Sequence, residues 1–286
     1  MFMKKLLLAC VLVMLTAFTA SATYISLSTA VDMERVINQT STSINVTITN
    51  EGDEPAYDVI VEPTSVGGFT IDQISLGNIN PNQTVSGTVN MLIPSDSLPG
   101  KYVLGFLIRY NDMNGYPFTF VTPIRFNYNT SLQSNVVGFL NEVDLAGEEK
   151  KTLTLRIQNM DEKPHDATVR LYLPNQIVVE GGRERSMTLN PSSETKLDLQ
   201  ISPLGALPGG DYFIFATVDY VDGDKHYSTS TNGRITTSKQ RSLMGELSPY
   251  VIVVVLVLVI VILYLQLRKD KVVSSAGTAK AGKAKK

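Results

Sequence analysis

One β-type pattern is written twice in this chain, at a spacing of 109 to 110 residues, and the repeat limits most of what the chain can fold into. Ser43 to Pro63 reads SINVTITNEGDEPAYDVIVEP, and Lys151 to Pro174 reads KTLTLRIQNMDEKPHDATVRLYLP. Asn50 aligns with Asn159 and Pro55 with Pro164. Asn80-Pro81 aligns with Asn190-Pro191, and Leu98-Pro99-Gly100 with Leu207-Pro208-Gly209. Tyr102 and Tyr110 then match Tyr212 and Tyr220, eight residues apart in both copies.

Within each copy the apolar residues fall at every second position. Ile44, Val46 and Ile48 alternate with Asn45, Thr47 and Thr49, and Leu153, Leu155 and Ile157 with Thr154, Arg156 and Gln158. A period of two buries one strand face and leaves the other wet, as in an antiparallel sheet. Glu51-Gly52-Asp53, Asn111 to Gly115, Gly181-Gly182 and Asp222-Gly223 supply turn chemistry between the strands. The pattern predicts an all-β chain of two tandem immunoglobulin-like β-sandwiches, seven strands each, over residues 23–136 and 137–238. The seam is placed near Asn141 to Gly147.

The two ends read differently. Lys4-Lys5, the apolar run Leu6 to Phe18 and Ala20-Ser21-Ala22 predict a cleaved signal peptide over residues 1–22. Tyr250 to Leu267 carries no charge and precedes Arg268-Lys269. At a rise of about 1.5 Å per residue it would span roughly 27 Å as a helix, close to a bilayer's hydrocarbon thickness. The positive-inside rule puts the basic tail, residues 268–286, in the cytosol. A juxtamembrane stalk, residues 239–249, joins the predicted span to the second sandwich. The predicted localisation is the cell membrane, single-pass, with an outward ectodomain.

That ectodomain holds 16 cations against 26 acids. Its acidity argues against nucleic acid and against docking flat on anionic lipid. Cys10, the sole cysteine, lies inside the leader, so the mature domains must be held by apolar cores without disulfides.

The ITNEG- and IQN-type strands, the later Asn-Pro turn and the LPG-x-Y-x7-Y stretch resemble CARDB-type and S-layer-associated Ig-like domains of archaeal surface proteins. The resemblance covers nearly all of both copies. It implies adhesion or spacer modules and names no ligand. A more distant similarity is to translocon-associated protein subunits, which pair a lumenal Ig-like domain with one span and a basic tail; the tandem arrangement departs from them.

Candidate sites are few. Asn38, Asn45, Asn82 and Asn129 head N-glycosylation sequons, all in the first copy, whereas Pro191 excludes Asn190. Asp219, Asp222 and Asp224 form D-x-x-D-x-D, which reads either as a calcium loop or as a tight turn with solvated neighbours. His165 and His226 match no zinc spacing and read as isolated exposed residues. The four repeated tyrosines, with Phe118, Phe120, Phe213 and Phe215, read as core packing or a tyrosine-corner-like anchor rather than a sugar platform. No nucleophile, metal or phosphate motif occurs, so no catalytic residue, cofactor or metal is expected and the chain reads as a non-enzyme. The leading expectation is a membrane-anchored surface protein serving binding, adhesion or S-layer and envelope architecture, with an envelope protein or glycan as partner. The alternative is an accessory subunit of a translocation or export complex, docked on a multispan membrane partner.

Overall fold

The computed structural model describes residues 24–64, 68–145 and 150–237. The expected leader, stalk, span and tail lie outside them. No helix among the described residues is long and apolar enough to cross a membrane.

The first copy folds as β1 (Leu27–Asp32), β2 (Val36–Ile37), β3 (Ser41–Asn50), β4 (Ala56–Thr64), β5 (Thr70–Ile71), β6 (Ile74–Ile79), β7 (Thr84–Leu92), β8 (Gly100–Asn111) and β9 (Pro117–Tyr128). The second follows as β10 (Val136–Leu140), β11 (Val143–Asp144), β12 (Lys151–Asn159), β13 (His165–Tyr172), β14 (Ile177–Val179), β15 (Glu184–Leu189), β16 (Glu194–Pro203), β17 (Asp211–Asp222) and β18 (Lys225–Thr236). In the first sandwich, β1-β3-β7-β5 faces a sheet in which β8 lies between β4 and β9 and β6 extends the β4 edge. The second repeats the plan strand for strand, as β10-β12-β16-β14 against β15-β13-β17-β18. A four-strand sheet in A-B-E-D order against C-F-G is the immunoglobulin-like arrangement. Short additions bring each copy to nine elements instead of seven: β6 and β15 extend the β4 and β13 edges, β2 pairs parallel with β9, and β11 with β18.

The alternation read in the sequence sets which face is inside. Ile44, Val46 and Ile48 are fully buried, as are Leu153, Leu155 and Ile157. The outward rows differ between copies. On β3 and β7 they are hydroxyls and amides bonded across the strands: Thr47 to Ser86 at 2.8 Å, Thr49 to Thr84 at 2.9 Å and Ser43 to Asn90 at 3.2 Å. On β12 and β16 the corresponding rows include Arg156, Lys196, Asp198 and Glu194.

One buried side chain is reused in both copies. The Asn50 amide donates to the Glu54 carbonyl at 2.8 Å and the Ile79 carbonyl at 3.1 Å, and its oxygen accepts from the Gly52 N–H at 3.0 Å. Asn159 does the same with the carbonyls of Lys163 (2.9 Å), Leu189 (3.3 Å) and Asn190 (3.0 Å) and the Asp161 N–H (3.0 Å). Both asparagines are fully buried, and each satisfies backbone groups that the turn after its strand leaves unpaired.

The passage between sandwiches runs from the end of β9 at Tyr128 to the start of β10 at Val136. The described part of the expected seam, Asn141 to Leu145, therefore falls inside the second sandwich: β10, which precedes it, is already paired with β12, and residues 146–147 lie outside the described residues. Both sandwiches belong to one compact unit.

Candidate functional site

The chemistry gathers where the sandwiches meet, because the outer face of β17 is covered there by the first sandwich. Residues Ile214 to Tyr220 are all buried, and so are Tyr102 to Phe106 on β8. Tyr172 and Phe215 stack at 4.2 Å and join the apolar core of the first sandwich although the second supplies them. One parallel bridge, His226 to Gly100, links the two sheets through the backbone. The His226 ring lies flat on Tyr102, 4.1 Å between centroids at 3°.

Two clefts flank this seam. The first, about 420 Å³, contains Arg170, Asp219 and His226. Asp219 is 6% exposed; its Oδ2 accepts from Arg170 Nη1 at 2.8 Å and from the Thr217 hydroxyl at 3.0 Å. Pairing with a guanidinium is what lets a carboxylate stay buried. His226 Nδ1 lies 2.8 Å from the Lys101 carbonyl, which can only accept, so Nδ1 carries the proton and the neutral ring leaves Nε2 bare. Burial pushes the His226 imidazole below its usual value, outweighing the Lys101 carbonyl and the Asp219 charge, which pull it up, while Arg170 pushes it further down. A histidine depressed in the docked state stabilises docking above its free value of about 6.5, and that contribution is lost as pH falls through the depressed value. Thermal unfolding from pH 8 to pH 5 should therefore show a steeper loss for the wild type than for His226→Asn. Parallel pH profiles would remove this role.

The second cleft, about 390 Å³, is aromatic. Asp112 Oδ1 accepts from the N–H groups of Asn114 and Tyr116, both at 2.8 Å, and folds the β8–β9 loop so that Tyr116 reaches the second sandwich. There the Tyr116 hydroxyl donates to the Gly205 carbonyl. Phe118 stacks on Tyr110 at 5.4 Å and meets Tyr116 edge-on at 5.1 Å. Across the seam the Thr119 hydroxyl donates to Gln176 Oε1 at 2.7 Å, and Gln176 Nε2 to the Pro117 carbonyl at 3.0 Å. Beside the cleft, Asp58 sits at φ 52° where β4 slips register against both β6 and β8. Such a bulge re-aims side chains, and β13 has no counterpart to it.

The candidates read from sequence fall as follows. Asn38, Asn45, Asn82 and Asn129 are all exposed. Asn82 and Asn129 occupy left-handed turns, at φ 59° and 54°, which asparagine tolerates. Asn45 stands on the outward face of β3 opposite Thr88, and the Asn129 N–H bonds the Ile37 carbonyl next to Asn38. The aspartates do not converge: Asp219 turns inward to Arg170, whereas Asp222 pairs with Lys163 at 2.5 Å. Among the described residues, no group of three or more His, Cys, Asp or Glu could hold a metal. Asp222 faces Lys225 across a two-residue hairpin turn, with Gly223 at φ 60°.

The histidines are corrected. His165 is 3% exposed, bonded to Asp161 at 2.7 Å and packed on Tyr220, because the turn after Asn159 folds over it. His226 is part-buried at the seam. Phe213, expected inside, is 60% exposed on the outer face of β17 beyond the covered stretch. Tyr102 and Tyr212 do anchor their LPG corners: Tyr102 donates to the Leu98 carbonyl at 2.7 Å, and the Leu207 N–H donates to Tyr212 at 2.8 Å. Tyr110 is half-buried at the second cleft instead of deep in a core.

The fold and its seam define a tandem all-β sandwich protein. No family model matches the sequence, and no curated protein does. Among solved structures, the chain is similar to Escherichia coli α2-macroglobulin in its native conformation, 14% identical over 74% of this chain and 17% of that one, TM-score 0.32. A structure of the E. coli protein from domain MG7 to the C-terminus aligns at 23% identity over 36% of this chain and 16% of that one, TM-score 0.33. The YadV chaperone aligns at 15% identity over 71% of this chain and 98% of that one, TM-score 0.26. The chain thus spans 16–17% of the length of these two α2-macroglobulin chains. At TM-scores this low the likeness carries no argument about activity.

Proposed function

We propose that the chain is a single-pass, membrane-anchored surface protein whose tandem sandwiches bind a component of the cell envelope. The observation that carries this reading is the seam, where both sandwiches contribute side chains to clefts that neither would form alone. The leader-like and span-like ends, the acidic ectodomain and the resemblance of the repeat to CARDB-type and S-layer-associated domains support it. The clefts give a partner concave footholds on a body whose parts are fixed relative to one another, and preorganisation of that kind favours binding.

Crosslinking of intact cells, followed by capture of the full chain and mass spectrometry, tests the reading. Lattice glycoproteins or envelope polymers are the expected catch. A stoichiometric multispan translocase would overturn it and make the chain an accessory subunit. Surface exposure also predicts that peptide mapping of protein from native membranes finds a glycan on at least one of Asn38, Asn45, Asn82 and Asn129, with Asn190 bare. Four unmodified sequons would remove the glycoprotein part of the proposal.

A further inference from the structure

We propose that the aromatic cleft at the seam is a subsite for a neutral carbohydrate; this rests on the envelope-binding reading and names the ligand class. A pyranose presents an apolar C–H face and a rim of hydroxyls, so it needs an aromatic wall with planar polar groups around it. The cleft has both. Tyr110, Phe118 and Tyr116 form the wall, held by their mutual ring contacts. Asp58, Asn111 and Asn175 stand at its edge with carboxylate and amide groups that exchange hydrogen bonds with hydroxyls.

Charge disfavours an acidic sugar. Arg109, the cation lining the cleft, is paired with Glu62, and Asp58 accepts from the Asn111 amide at 3.3 Å. An acidic sugar would have to displace Glu62 from Arg109 and would face the Asp58 carboxylate. At about 390 Å³ the cleft is of a size for one or two sugar rings. The β4 bulge places Asp58 at this edge, and the second copy, lacking the bulge, has a regular β13 in its place.

The test is saturation-transfer NMR on the full-length chain, with maltose, cellobiose, chitobiose and mannobiose as probes. At least one disaccharide should show transfer to its ring C–H protons. Tyr116→Ala should weaken that binding by roughly two- to tenfold, the scale of losing one stacking partner. Tyr116→Phe, which keeps the ring and loses only the bond to Gly205, should bind like the wild type. Phe139→Ala, at an aromatic residue 54% exposed on β10 and outside the cleft, should also bind like the wild type. Absence of transfer from all four probes would overturn the proposal. So would equal losses in Tyr116→Ala and Tyr116→Phe, because the seam bond and not the ring would then be responsible. The same variants in the intact-cell capture separate the two readings: an envelope partner retained without sugar binding sinks the subsite alone, whereas sugar binding without an envelope partner sinks the surface role alone.

Discussion

Gly100→Ala should separate the two sandwiches. A Cβ at this position would lie 1.9 Å from the His226 carbonyl oxygen and 2.8 Å from its amide nitrogen. Both are backbone atoms of the bridge that joins the sheets, so neither can move aside as a flexible side chain would. Gly100 also holds φ at 154°, where an L side chain is strained. The combined cost is roughly 3 kcal/mol or more, above the usual range for overpacking because the obstacle cannot relax. The seam should open before the strands of either sandwich part, although opening it also withdraws Tyr172 and Phe215 from the core of the first. Small-angle scattering should then show a longer particle with the β signature of circular dichroism retained. An unchanged radius of gyration would mean that the bridge does not hold the sandwiches together.

The second large effect is expected at the paired asparagines. Asn50→Ala and Asn159→Ala each strand two or three backbone carbonyls and one N–H inside the protein. Unsatisfied buried groups cost about 1–3 kcal/mol apiece, partly recovered by relaxation, so each variant should lose roughly 2–4 kcal/mol. At about 2–4 °C per kcal/mol for a body of this size, the unfolding midpoint should fall by roughly 5–15 °C. Asn159 bonds one more carbonyl, that of Asn190, than Asn50 does, so its loss should equal or slightly exceed the other. A negligible change in either variant would show that water replaces the amide there.

Strand identity, facing and the duplicated plan were legible because alternation is local: Ile44, Val46 and Ile48 need only their own strand to declare an inside. The seam was harder to read, since burial by another domain leaves no periodic trace of its own. Its signature was present as a loss of alternation, with Tyr102-Val-Leu-Gly-Phe and Ile214-Phe-Ala-Thr-Val apolar on both parities. Strands covered on both faces read this way. The histidines were misplaced for a related reason. A residue just after a turn, such as His165 at the start of β13, looks solvated until the fold shows what lies across from it. The aromatic cleft was legible only as a cluster, Tyr110 to Phe120; its far wall, Asn175, Gln176 and Leu204, lies more than fifty residues away in sequence.

The contrast between the two outward sheet faces has a consequence for salinity. Raising salt from 0.1 M to 1 M shrinks the Debye length from about 10 Å to about 3 Å. The hydroxyl and amide rows of β3 and β7 carry no ions, so screening takes nothing from their own hydrogen-bonding groups. The rows of β12 and β16, with Arg156, Lys196, Asp198 and Glu194, lose much of their reach. In brine the β3 and β7 rows keep their hydrogen-bonding groups unchanged while the charged rows of β12 and β16 lose range, so one chain offers two sheet faces that respond differently to its medium.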